Sequence, residues 1–140
     1  FFTEEKRAEV LKAIAEAEKN TSGEIRLYVE NNCKEDVLDR AAFIFKKLKM
    51  HETAERNGVL FYLALKSQKF AILGDAGINQ KVHKDFWHDI KLDMQQHFAT
   101  GDFVTGLSNG IRKAGEALGK HFPYTGSDVN ELPDDIVFGE

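Results

Sequence analysis

The run VLFYLAL at residues 59–65 is apolar without a polar residue at any alternate position. It has the length of a strand and falls far short of a membrane span. In a strand, successive side chains point to opposite faces, so a run like this must be covered on both sides. A chain that contains it is driven toward a sheet lying between two layers of helices.

The neighbouring segments fill in that plan. Only KSQK separates this run from FAIL at residues 70–73, so the two strands form an antiparallel hairpin in the simplest reading. Upstream, Ile25, Leu27 and Val29 alternate with Arg26 and Tyr28, the period of another strand. Residues 2–20 read as a helix capped by Thr3, with Glu4 and Glu5 in its first turn and an apolar stripe of Val10, Leu11, Ile14 and Ala17. NTSG then stops it, with Gly23 as the expected terminator. Residues 36–49 return to helical spacing through Val37, Ala41, Ile44, Phe45 and Leu48.

Two helices are predicted after the hairpin. Val82, Phe86, Trp87, Ile90, Met94 and Phe98 mark the first. Phe103, Leu107, Ile111, Ala114, Leu118 and Phe122 mark the second, and Gly101-Asp102 supplies the break and N-cap between them. After Pro123 the periodicity ends and the chain turns acidic, so residues 1–123 are expected to form a single domain and residues 124–140 a tail. The order is helix, strand, helix, strand, strand, helix, helix. A strand–helix–strand crossover makes the first two strands parallel and right-handed. The predicted fold class is therefore α/β: a three-layer α/β/α sandwich around a small mixed sheet.

Composition excludes several functions. A formal net charge of −4 over 140 residues, with no basic stripe, argues against a nucleic-acid partner. KKLK at residues 46–49 reads as the solvated face of a helix. Cys33 is alone, which leaves neither a disulfide framework nor a cysteine zinc site. No stretch is long and apolar enough to span a bilayer, and neither an initiator Met nor a signal peptide is present. The expectation is a monomeric, cytoplasmic, stand-alone domain.

Strand direction then selects the candidate site. If the first two strands are parallel, both start at one end of the sheet, and an antiparallel third strand finishes there. Glu24, Asn57, Gly58 and Asp75 are thereby gathered, with Gly74 and Arg56 one residue away. Two carboxylates and an amide suit a hard cation, Ca²⁺ or Mg²⁺, with water completing the shell. The competing structural reading has Asp75 capping the next helix while Glu24 pairs with Arg56. A phosphate-binding role for Gly74-Asp75-Ala76-Gly77 is less well supported, because the stretch is neither a Walker loop nor a dinucleotide fingerprint. Lys81 lies downstream as a solvated lysine or an anion contact, and Asp85, nearest the start of the next helix, as a candidate to brace an ion's ligands from behind. His83 and His88 do not share a helix face as a ligand pair does. Asp85, Asp89 and Asp93 do share one, as a wet face. Trp87 reads as core. Ser22 and Thr21 have no recognisable base. Asp128, Glu131, Asp134 and Asp135 in the tail read as a surface strap or as ligands folding back.

TSGEI, RNGVLFYLA, GDAGI, FW and HFPYTGSDVNELPDD, taken in that order, resemble the TPM domain over nearly the whole chain. That family is named for a thylakoid lumen protein, a photosystem II repair protein and a nematode receptor modulator. The resemblance implies a helix-flanked sheet with a groove at one end and Ca²⁺ or Mg²⁺ bound there. By motif, it places Glu24, Asn57 and Asp75 in that groove. Many members read Gly-x-Gly where this chain has Gly74-Asp75-Ala76-Gly77, and many carry a leader and a membrane or glycine-rich segment. Some plant members are described as acid phosphatases, others as accessory modules.

Two functions follow as expectations. The first is a cation-binding regulatory or accessory module that engages another protein. The alternative is a metal-assisted phosphatase with Arg56 or Lys81 balancing the phosphate charge. Its general acid would be Glu24; no other catalytic residue is assigned.

Overall fold

The structure is a computed structural model and describes residues 3–124 and 136–139. Its elements in chain order are α1 (Glu4–Glu18), β1 (Glu24–Glu30), α2 (Val37–Lys47), a 3-10 turn (Met50–Glu52), β2 (Gly58–Ala64), β3 (Lys69–Gly74), α3 (Ala76–Asn79), α4 (Phe86–Ala99), α5 (Phe103–His121) and β4 (Ile136–Phe138). The sheet runs β3-β2-β1-β4. β1 is parallel to β2, and β3 returns antiparallel to β2. All seven residues of β2 are buried, as an unalternating apolar run requires.

Side-chain alternation sorts the two faces. Ile25, Leu27, Val29, Val59, Phe61 and Leu63 pack with Val10 and Ile14 of α1, Ile90 and Met94 of α4, and Leu107 and Ile111 of α5. Tyr28, Leu60, Tyr62 and Ala64 pack on the other face with Ala41, Ile44 and Phe45 of α2 and with Met50. Three helices cover one side and α2 with its 3-10 turn covers the other, which is the expected three-layer α/β sandwich. The TPM resemblance implied this arrangement as well. Among the described residues, no helix is long and apolar enough to cross a membrane.

Three local expectations need correction. The helix after the hairpin is broken: α3 is one turn long, and α4 begins only at Phe86, so Val82 precedes the helix it was expected to open. Gly23 does not terminate α1, which ends at the C-cap Lys19; it lies against Leu118, whose Cδ2 would be 2.7 Å from a Cβ at that position. All seven residues of β1 are buried, with Tyr28 packed against α2 and Glu30 bound by Arg40 of α2. The C-terminal stretch also contributes a strand: Ile136–Phe138 adds to the free edge of β1 in parallel, with Leu27 opposite Ile136. Asp128, Glu131, Asp134 and Asp135 lie outside the described residues.

On the α2 face, the buried end of β1 holds an internal ion pair. Arg40 donates from Nε to Glu30 Oε2 at 2.8 Å and from Nη2 to Glu30 Oε1 at 2.9 Å. The Tyr62 hydroxyl also donates to Glu30 Oε2. Arg40 holds the Glu30 carboxyl below its ordinary range against the opposing effect of burial, with Tyr62 adding to the depression. Burial, and then the Glu30 bond, push the Tyr62 phenol well above its ordinary value.

Candidate cation site at the strand tips

The opposite end of the sheet is where β1 and β2 start and β3 finishes. Register places Glu24 opposite Gly58. Asp75, the residue after β3, extends the same rung by donating its N–H to the Gly58 carbonyl at 2.9 Å. Glu24 N–H donates to Asn57 O at 3.4 Å. By period-two alternation, Glu24 and Asp75 therefore flank Gly58 on the α2 face, with backbones roughly 10 Å apart at two strand spacings. Both acids are buried, at 3% and 7% exposure, and Asn57 is at 1%.

Gly58 leaves the middle of this rung without a side chain. The space is taken by the Met50 carbonyl, which would sit 3.1 Å from a Cβ at that position. A backbone oxygen from the 3-10 turn thus lies above the glycine between the two acids. Nothing in the residue pattern signals it, because the turn sits where helical spacing has run out.

Asn57 is held from several directions. Its N–H donates to Thr53 Oγ1 at 3.2 Å, and its Nδ2 donates to Ser22 Oγ at 3.3 Å. Ser22 in turn donates to Glu55 Oε2 at 2.9 Å. The amide oxygen of Asn57 is buried and has no hydrogen-bond partner among the described residues. A buried carbonyl oxygen left unmatched is costly, and such groups normally have a ligand, water or ion to meet. Ser22 and Glu55 belong to the site by this chain of bonds, although Ser22 drew attention in the sequence only as an unsupported nucleophile.

Asp75 has two structural duties. It caps α3 by accepting from Ala76 N–H at 2.7 Å, as the capping reading expected. It also receives a two-pronged bond from Arg56, Nε to Oδ2 at 2.7 Å and Nη2 to Oδ1 at 2.8 Å. The Arg56 guanidinium therefore pairs with Asp75, not with Glu24 as that reading supposed. Asp75 raises the pKa of Arg56 through that bond and its charge.

The remaining candidates lie elsewhere. Gly74 pairs with Val59, one step inside the rung, and its carbonyl accepts from Asn79 Nδ2 at 2.8 Å. Trp87 Nε1 donates to Asn79 Oδ1 at 2.7 Å, which ties α4 to the end of β3, and Trp87 packs against the core as expected. Lys81 lies between α3 and α4 and lines a groove with Phe86, Lys113 and Lys120 on the α4–α5 side. Asp85 is the exposed N-cap residue of α4 and makes no capping bond with its side chain.

This end of the sheet carries two buried carboxylates, the Asn57 carboxamide oxygen and the Met50 carbonyl. All are hard oxygen donors of the type that Ca²⁺ and Mg²⁺ take. Among the described residues no three His, Cys, Asp or Glu side chains converge as a cage. A fitting ion would accordingly depend on neutral oxygens and water, and Asp75 would have to exchange Arg56 for it. Arg26, buried two residues along β1 on the face of Glu24, places another positive charge near the rung.

The profile of the TPM domain matches residues 1–117. The chain belongs to the TPM domain family. This TPM domain is also similar to a solved structure, the NMR structure of BA42 protein from the psychrophilic bacterium Bizionia argentinensis. The two are 47% identical over 99% of this chain and 96% of that one, with a TM-score of 0.92. No curated protein matches significantly.

Proposed function

We propose that this TPM domain is a divalent-cation-binding module, with Ca²⁺ or Mg²⁺ held by Glu24, Asn57 and Asp75 at the strand tips. The observation that carries the reading is the unmatched, buried Asn57 Oδ1 beside a rung on which two buried acids flank a glycine. A dication there would give the buried amide oxygen a partner and would draw on the hard oxygens of Glu24 and Asp75 beside it.

The proposed role is regulatory or accessory, toward another protein. An ion at this position ties together the beginnings of β1 and β2, the end of β3 and residues 53–57. The shape and stiffness of that end of the molecule then follow the ion concentration, which suits recognition by a partner. Metal-assisted phosphoester hydrolysis is the alternative activity. It needs a free cationic group for the phosphate, whereas the Arg56 guanidinium is engaged by Asp75 and Lys81 lines the groove on the α4–α5 side.

Calorimetric titration with Ca²⁺ and Mg²⁺ tests the proposal. Saturable binding that weakens in Glu24→Gln and Asp75→Asn is the expected result. Wild-type affinity in both variants would remove the site. A phosphoester assay with and without chelator separates the two functions.

A further inference from the structure

We propose that Arg56 is a latch on this site: its guanidinium holds the Asp75 carboxylate in the cation-free protein and must release it before a divalent cation binds. Arg56 thereby sets the concentration at which the site fills. This inference rests on the cation reading above.

Both oxygens of Asp75 are engaged by Arg56, at 2.7 and 2.8 Å, and Oδ1 also receives the Ala76 N–H. The fork occupies the side of the carboxylate that bidentate coordination uses, and at the one lone pair left on Oδ2 a dication would stand against the guanidinium charge. One of the two partners must therefore move. Asp75 is fixed, because it is 7% exposed, caps α3 and belongs to the strand rung. Arg56 differs in the part of it that is free. Its side chain is 52% exposed, so the guanidinium can pass into water with little further change in solvation.

The backbone of Arg56 does not take part in the release. Its φ is 53°, in the left-handed region that non-glycine residues seldom occupy. Its carbonyl accepts from Gly77 N–H at 2.8 Å, and its own N–H donates to Thr53 O at 3.2 Å. The chain on either side of the latch is therefore fixed, and the side-chain torsions are the hinge. The unmatched Asn57 oxygen, on the adjacent residue, is the donor that stays available whichever partner Asp75 has.

A competing internal cation lowers apparent affinity by the fraction of molecules in which Asp75 is released. Arg56→Gln removes the charge and the fork. Arg56→Gly removes them and suits the positive φ, so it guards against misfolding in the first variant. Arg56→Lys keeps a point charge without the fork. Calorimetry with Ca²⁺ alone and Mg²⁺ alone is run on each folded variant. The Arg56 Nε–Hε resonance is followed in parallel in wild type.

The expected result is Ca²⁺ affinity about tenfold tighter in Arg56→Gln and Arg56→Gly, in the ordinary range for coupled equilibria, with Arg56→Lys between them and wild type. The Nε–Hε signal is expected to lose its hydrogen-bonded shift and its protection from exchange as the cation saturates. Equal or weaker affinity in both charge-removed variants, with wild-type binding intact, overturns the latch and leaves the cation reading standing. An unmoved Nε–Hε signal at saturation also overturns it. Failure of wild type and all three variants to bind either ion overturns the cation reading and the latch together.

Discussion

Gly77 N–H donates to the Arg56 carbonyl at 2.8 Å, and the two backbones approach so closely that a Cβ on Gly77 would lie 2.6 Å from that oxygen. The same Cβ would lie 2.1 Å from the Glu55 carbonyl. The second glycine of Gly74-Asp75-Ala76-Gly77 therefore neither cradles a phosphate nor opens a long helix. It lets α3 rest on the loop that presents Arg56 to Asp75.

Gly77→Ala is expected to destabilise the fold by about 1–3 kcal/mol, because backbone atoms cannot rotate away from the added methyl. Urea unfolding measures it. Gly119→Ala serves as the control: its Cβ would meet only Asn20 O at an ordinary 3.5 Å, inside a helix. That substitution is expected to stabilise by roughly 0.5–1 kcal/mol.

Arg40→Met strands the Glu30 carboxylate, buried and left with the Tyr62 hydroxyl. The expected loss is about 3 kcal/mol in chemical unfolding, the scale for removing one partner of a buried pair. Adding Glu30→Leu to Arg40→Met should recover most of it, since no charge then remains unpaired. A double variant as unstable as Arg40→Met would show that packing, not charge, dominates there.

Acid should weaken the fold through Glu30. Its folded-state pKa is lowered from 4.5, chiefly by Arg40, so the unfolded chain takes up the proton first. Its contribution is complete above the ordinary carboxyl pKa and is lost as pH falls through the lower folded value. Unfolding free energies at about pH 5.5 and about pH 3.5 should differ less in Glu30→Gln than in wild type.

Base acts through Tyr62 with the opposite sign. Its folded-state pKa is raised from 10.0 by burial first and by Glu30 second, so the unfolded chain ionises first. The contribution is intact below the ordinary phenol pKa and is lost as pH rises through the folded value. Spectrophotometric titration should show delayed tyrosine ionisation that comes only with unfolding, and Tyr62→Phe should reduce its amplitude by one tyrosine.

The rung was legible because its cause is topological. An apolar β2, a short KSQK hairpin and a helical crossover fix strand directions, and strand directions bring Glu24, Gly58 and Asp75 level. Strand direction alone does not assign the partner of Arg56, since that depends on a left-handed φ and on the close approach of Gly77. Burial of Glu30 was hidden for a related reason: alternation reports which residues share a face, not whether another layer covers that face. β4 carries only three residues with no periodicity of their own, so nothing local announced it. The Met50 carbonyl is a backbone group, and its place above Gly58 comes from tertiary packing alone.

The central claim is that the strand tips hold a divalent cation. The most direct measurement is a Ca²⁺ titration of the isotopically labelled protein, followed residue by residue by NMR and repeated with Mg²⁺. The account predicts saturable shifts centred on Glu24, Asn57, Gly58 and Asp75, with the Asn57 side-chain amide among the largest, and their loss in Asp75→Asn. Shifts that never saturate, or that gather on exposed acidic side chains while the Asn57 amide stays fixed, would contradict it.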